Sequence, residues 1–449
     1  MNLRRFVAGT ATAVLVIPLL GAVAHAAPAP DGLQLVVKHE SLLATHEWYV
    51  QTFNGHKVIG GYYAKHVDKR TGQVTVSDGR QAVAGLAATA APQVASNGGE
   101  LAVLPGAQAK LVYSKVEHGE AGSHRTLVDA TSGATLKSES LIKNVDGTGK
   151  VFSPNPVADL QAEKLTDHSD RNSAVPDVAY HNVKLTNLDG SGFLHGDFAT
   201  IKDPVNKQAR SATNTFNFLR ADDFFEQVMS YYSITEAEKY IQSLGFNDVN
   251  NEAQDIKTTG FKDDNSFYDP SVDQITFGTG GVDDAEDAEV IWHEYGHAIQ
   301  DAQVPNFGDS LEAGSIGEAF GDWWAMIMSV PVQRDTAVTP IACIADWDSV
   351  SYTSDEPHCL RRTDTDLKFG DRIGEVHFDG QIWSRALFDI FKALGRDRSV
   401  TLVLESQFSF TPTITMAQAA QVTVDTARQL FGPREAQIAR DAFHARDII

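Results

Sequence analysis

His293 and His297 stand four residues apart in Val290-Ile-Trp-His-Glu-Tyr-Gly-His297, within a stretch from Asp287 to about Ala302 whose apolar residues recur at helical spacing. On a helix, side chains four apart share a face, so both imidazoles point the same way. Two imidazoles so placed can share one zinc ion, and Glu294, one step round, can reach a water at the metal. Taken alone, the pattern also fits a surface helix with two solvated histidines. Catalytic zinc takes three protein ligands and keeps one position for water. The segment Glu312-Ala-Gly-Ser-Ile-Gly-Glu318-Ala-Phe-Gly-Asp322-Trp-Trp-Ala-Met-Ile327 offers the third. It is too apolar for a solvated helix, so the spacing predicts a second, buried helix with Glu318 and Asp322 on one face. Glu318 is the expected ligand. Asp322, one turn on, is the expected carboxylate that orients a ligating histidine through its free ring nitrogen.

His377 lies in Asp371-Arg-Ile-Gly-Glu375-Val-His377-Phe-Asp-Gly380, and the apolar-periodic stretch after Gly380 predicts another helix with His377 in the loop before it. An imidazolium there can stabilise the oxyanion of a tetrahedral intermediate, with either Asp371 or Glu375 holding its ring. A single histidine before a helix is also a common cap or surface residue. Upstream of the first histidine, Asp283, Asp284, Glu286, Asp287 and Glu289 crowd together. They offer the several oxygens that calcium requires, with Asp283, Asp284, Asp287 and Glu289 as candidate ligands. Equally, acids gather at helix N-termini for electrostatic reasons alone.

These segments together resemble the zinc metallopeptidases of the thermolysin clan, and most closely the fungalysin family. His293-Glu-Tyr-Gly-His297 is similar to that family's H-E-Y-x-H, and Glu318 and Asp322 fall where the clan has its third ligand and following aspartate. Asn265-Ser266-Phe-Tyr268 resembles the clan's edge strand, which implies that its backbone and Asn265 bind extended substrate. Leu360-Arg361 resembles the pair whose guanidinium holds the substrate carbonyl beyond the scissile bond, with Arg362 a competitor for that role. Glu289 stands where thermolysin has a calcium-ligating acid. Trp48-Tyr-Val-Gln-Thr-Phe-Asn-Gly55 through Val58-Ile-Gly-Gly61 resembles the propeptide of such enzymes, and Gly147 to Pro156 resembles the start of a fungalysin catalytic domain. The resemblance implies a zymogen whose propeptide aids folding and inhibits. Three features depart from the pattern, one of them the short spacing from Arg361 to His377. Gly317 replaces the usual asparagine before the third ligand, and no tyrosine lies between His297 and Glu318, which loads oxyanion stabilisation onto His377.

The elements that must position these residues belong to a chain of 449 residues, long enough for two or three domains. It opens with Arg4-Arg5, an apolar run from Phe6 to Val23 and Ala24-His-Ala26, the pattern of a secretory signal peptide over residues 1–26. The rival reading, a membrane anchor, is weakened by Gly9, Thr10, Thr12 and Pro18. Export makes the two cysteines, Cys343 and Cys359, an expected disulfide ahead of Arg361. The net charge of −22 excludes nucleic acid and anionic membrane as partners and fits a soluble secreted enzyme acting on polypeptides, expected as a monomer.

Residues 27–145 alternate apolar and polar positions between Asn-Gly, Gly-Gly and Thr-Gly turns, as expected of a small α+β propeptide, with Gln81 to Gly106 either a helix plus loop or a linker. Residues 146–449 are expected to be an α+β, thermolysin-like catalytic domain: a β-rich lobe to about residue 285, a helical lobe over 286–449, and zinc between them. The aromatic stripe over 221–244 is expected in the core. Two other functions fit less well. One is a catalytically inactive binding protein on a peptidase fold. The other is an aminopeptidase of the same clan, for which no Gly-x-Met-Glu-Asn motif is found.

Overall fold

The structure, a computed structural model, describes residues 32–87, 91–96, 99–105, 109–119, 122–140 and 144–449. The expected signal peptide lies outside them. The alternating N-terminal segments form β1 (Leu33–Glu40), β2 (Ala44–Phe53), β3 (His56–Asp68), β4 (Val74–Gly79), β5 (Glu100–Leu104), β6 (Lys110–Gly119), β7 (Gly122–Asp129) and β8 (Thr135–Ser140). They make one sheet in the order β1-β2-β3-β5-β6-β7-β8, with β4 also paired to β3. Asn54 and Gly55, both at positive φ, turn the chain between β2 and β3, as Asn-Gly does in tight hairpins. The sheet buries Val58, Val103, Leu111 and Tyr113 as a small core of its own. Among its described residues, the segment from Gln81 carries no helix, but it is not a plain linker either, because residues 100–104 form β5 within the sheet; the N-terminal unit expected as α+β shows only strands there.

Between Ser140 and Val145 the chain changes sheet. β9 (Val145–Val151) is followed by α1 (Pro156–Leu160), and pairs with β10 (His181–Leu188) and β12 (Thr215–Phe216). A second sheet has the order β11 (Ala199–Ile201), β13 (Gln254–Phe261), β15 (Gln274–Gly278), β14 (Ser266–Asp269), which leaves β14 as an edge. α2 (Phe224–Ser243) packs against both sheets, and Phe225, Val228 and Tyr231 from its aromatic stripe are fully buried.

From there the chain is helical: α3 (Ala288–Gln303), α4 (Leu311–Ser329), α5 (Val376–Leu394), α6 (Arg396–Gln407), α7 (Met416–Leu430) and α8 (Pro433–His444). The Asp287 carboxylate accepts from the Glu289 N–H and starts α3, and Ser310 accepts from the Ala313 N–H and starts α4. Between α4 and α5, a short ladder of β16 (Cys343–Ile344) and β17 (Arg361–Arg362) is joined by the Cys343–Cys359 disulfide. One continuous core runs from Val151 to Ile448 and includes Ile291, Phe320, Trp323, Trp324 and Ile382.

The fold is therefore α+β, rich in strands before residue 280 and helical after it. The N-terminal sheet docks on the helical part: Ser41 Oγ donates to Glu405 Oε1 at 2.7 Å, and the His46 ring stacks on Phe408 at 4.3 Å. Among the described residues no helix is long and apolar enough to cross a membrane.

Candidate metal centre and active site

α3 and α4 cross where neither carries a side chain. A Cβ on Gly296 would lie 2.9 Å from the Gly321 Cα, and one on Gly321 would lie 2.7 Å from His293 Nδ1. Glycine at both positions lets the helices close until Glu318 meets the histidines. The His293 and His297 rings stand edge to face, 5.0 Å apart. Glu318 Oε2 is 3.3 Å from His293 Nε2, and Glu318 Oε1 is 3.6 Å from His297 Nε2. One ligand atom from each of the three residues lies within 4.8 Å of the others.

The opposite nitrogen, His293 Nδ1, is 2.9 Å from Asp322 Oδ1. That contact fixes the ring so that Nε2 is turned toward Glu318. Burial works against a charged His293 ring, but hydrogen bonds to Asp322 and Glu318 overcome it and raise the ring to about 10. Burial likewise opposes ionisation of Glu318, yet its contacts with His293 and His297 hold it well below the ordinary carboxylate range. The acids thus demand positive charge at this point. Two imidazoles and one carboxylate are a donor set that suits zinc.

Glu294 is 6 % exposed, and burial pushes its carboxyl up to about 7. It lines a cleft of about 410 Å³ together with His293, His297, Glu318, His377 and the edge strand β14. Asn265, just before β14, is exposed and lines the cleft. Ser266 also lines the cleft, but its hydroxyl donates a short hydrogen bond to Asp284 Oδ2, so it supports that acid as well.

His377 lies in the first turn of α5, not in a loop before it. The Glu375 carboxylate accepts from the His377 and Phe378 N–H groups and starts the helix early. Gly380, expected to mark a boundary, instead lies within α5, where a Cβ would come 2.9 Å from the Ser315 carbonyl of α4. His377 Nδ1 is 2.6 Å from Glu375 Oε1, and Nε2 is 3.3 Å from Glu318 Oε2. Glu375 is therefore the partner of this ring. Asp371 is not: its carboxylate turns back to accept from the Lys368 N–H at 2.9 Å.

Of the two arginines, Arg361 faces the cleft. Its guanidinium grips Asp322 in two hydrogen bonds of 2.8 and 2.7 Å, and Nη2 stands 3.4 Å from His293 Nδ1. Arg362 points elsewhere, to Asp364 at 2.7 Å.

The four acids expected as calcium ligands do not converge. Asp287 is saturated by the N–H groups of Glu289, Trp347 and Asp348. Glu289 accepts from Ser329 Oγ at 2.6 Å and the Ala345 N–H at 2.8 Å. Asp283 is buried without joining them. Only Asp284 enters a cluster, and its neighbours are Asp264 and Asp348, which no sequence spacing singled out.

Residues 179–447 match the sequence model of the fungalysin metallopeptidases. The chain belongs to that family. As a fungalysin-family metallopeptidase it is a peptide hydrolase. Among solved structures it is similar to the precursor of protealysin, a metalloproteinase from Serratia proteamaculans, at 16% identity over 50% of this chain and 79% of that chain, with a TM-score of 0.41. No curated protein matches it.

Proposed function

We propose that this fungalysin-family protein is a secreted zinc endopeptidase made as a zymogen. The observation that carries the reading is the triangle of His293, His297 and Glu318 on the wall of an open cleft, with Glu294 beside it. His293, His297 and Glu318 would hold the zinc. Zinc bound there would polarise the scissile carbonyl and make water acidic enough to attack near neutral pH. Glu294, raised by burial, takes the proton of the attacking water and passes it to the leaving amine. His377, oriented by Glu375, donates from Nε2 to the oxygen that gains charge. Asp322 locks His293 and Arg361 together, so one carboxylate orients both a ligand and the guanidinium expected on the substrate carbonyl. The free edge of β14 offers its backbone to an extended polypeptide, and the cleft continues past Glu294 in both directions, which supports cleavage within a chain.

In this reading residues 1–26 direct export and are removed, residues 27–145 are the propeptide, residues 146–449 are the catalytic domain, and the mature enzyme acts as a monomer. The docked N-terminal sheet supports the propeptide assignment. Among the described residues, none that lines the cleft comes from that sheet, which supports a sheet that holds the catalytic part without filling the cleft. The test is hydrolysis of unfolded casein by the purified chain, with and without 1,10-phenanthroline and with zinc restored. Internal cleavage that the chelator stops and zinc restores is the expected result. A zinc-bearing chain, freed of residues 27–145, that cuts nothing would favour a binding protein. Release of terminal residues alone would favour an aminopeptidase.

A further inference from the structure

Beyond Glu294, the cleft opens into a second lobe of about 250 Å³. It shares His293, Glu294 and His377 with the first lobe, so whatever enters it lies next to the reacting bond. We propose that this lobe is a side-chain subsite for the cationic head of a lysine or arginine flanking the scissile bond, selected by Asp264, Asp284 and Asp348. The inference rests on the endopeptidase reading and adds a substrate class to it.

One carboxylate oxygen from each of the three aspartates lies within 4.8 Å of the other two. Asp284 and Asp348 are each only 2 % exposed, yet both line the lobe, and Asp284 Oδ1 and Asp348 Oδ1 have no hydrogen-bond partner. Buried carboxylate oxygens are normally satisfied, so this pair is built to receive a donor. Neighbouring polar groups do not supply it. Arg361, the guanidinium on this wall, is held by Asp322 in two hydrogen bonds. The Tyr352 hydroxyl donates to Asp264 Oδ1 at 2.6 Å, and Ser266 donates to the other oxygen of Asp284. Burial, with further acids nearby, pushes Asp284 up to about 8 and raises Asp348, as befits acids left without a cation.

The rest of the wall suits an aliphatic stem. Val290, Ile344 and Leu360 line the lobe, and Leu360 is 37 % exposed. Lysine and arginine lay their methylenes on such surface while the charged head seeks carboxylates. A bare calcium ion fits less well. It takes six to eight oxygens, whereas two of the six carboxylate oxygens here already accept from Tyr352 and Ser266 and part of the lining is apolar.

The test uses the zinc-loaded enzyme and matched internally quenched peptides that carry Lys, Arg, norleucine or Glu at each position flanking one cleavable bond. At one flanking position, Lys or Arg is expected to raise kcat/KM at least about tenfold over norleucine. Asp348→Asn is expected to shrink that ratio several-fold. Asp264→Asn, at a half-buried site, gives the same readout should the first variant fail to fold. Cleavage of the norleucine peptides as fast as the Lys and Arg peptides would overturn the subsite while leaving the endopeptidase intact. Calcium titrated into the zinc-loaded Glu294→Gln protein provides a second check. Stoichiometric binding that Asp348→Asn abolishes, without a Lys or Arg preference, would make the cluster a cation site and overturn the proposal. No cleavage of any peptide would overturn the endopeptidase reading, and this inference with it.

Discussion

Glu294 follows His293 in the chain but has a different task, and substitution separates the two. Glu294→Gln keeps the size and hydrogen-bonding capacity of the side chain and leaves His293, His297 and Glu318 in place. The expected outcome is full zinc content with turnover lowered by about 10²–10⁴, read by metal analysis beside peptide hydrolysis. Glu318→Ala should act the other way, removing a ligand and with it the metal. His377 is half exposed, bonded to Glu375 and close to Glu318. His377→Ala should lower kcat by about 10²–10³ with little change in stability, because no core packing is lost. Asp322→Ala should weaken zinc binding by about 10–100-fold, because His293 loses the group that fixes its ring. It should also destabilise the fold, since the partly buried Arg361 would lose its bidentate partner.

At the level of elements, the centre depends on how closely α3 and α4 approach. Gly321→Ala places a methyl group 2.7 Å from His293 Nδ1, too near to be accommodated without a shift of the ring or of α4. The expected cost is about 1–3 kcal/mol of stability together with weaker zinc binding, measured by thermal unfolding and metal titration. The short β16/β17 ladder depends on the Cys343–Cys359 bridge, which closes a 16-residue separation. Replacing both cysteines by alanine should cost about 3 kcal/mol in the chain-entropy account. Because β17 carries Arg361, kcat/KM should fall as well; an unchanged kcat/KM would show that Asp322 alone holds the guanidinium.

In the whole molecule, a titratable contact joins the N-terminal sheet to the helical part. His46 Nδ1 is 2.6 Å from His66 Nδ1, His46 Nε2 is 2.8 Å from Ser41 Oγ, and Ser41 bonds Glu405 of α6. Burial lowers His46 to about 3 and His66 to about 4, from an ordinary 6.5. The docked state therefore binds fewer protons than the undocked chain once pH falls below about 6.5. The histidines' contribution to docking is fully present above that pH and is lost progressively as pH falls toward about 4 and 3, while Glu405, raised by burial, works in the opposite direction. In the Glu294→Gln chain, which cannot process itself, the first thermal transition is expected to lie lower at pH 5 than at pH 8. The His46→Phe, His66→Leu double variant should flatten that dependence; an unchanged slope would place the titration elsewhere.

The cluster of His293, His297 and Glu318 was legible in the sequence because each half of it is local. His293 with His297, and Glu318 with Asp322, are pairs four apart on helices, where spacing alone fixes a common face. The strand-then-helix order was legible for the same reason, since periods of 2 and 3.6 are properties of short segments. Sequence left other matters open that only packing decides. The choice between Glu375 and Asp371 depended on which carboxylate caps α5, and the choice between Arg361 and Arg362 depended on which side of β17 faces Asp322. Gly380 read as a helix boundary, but it is a contact point between α4 and α5. The acidic crowd before α3 read as a possible calcium cage, but most of it serves as caps and backbone anchors. Asp264, Asp284 and Asp348 meet only because the loop before the edge strand, the turn before α3 and the loop closed by the disulfide fold onto one wall of the cleft. No local period links residues so far apart, so their convergence is a property of the tertiary structure alone.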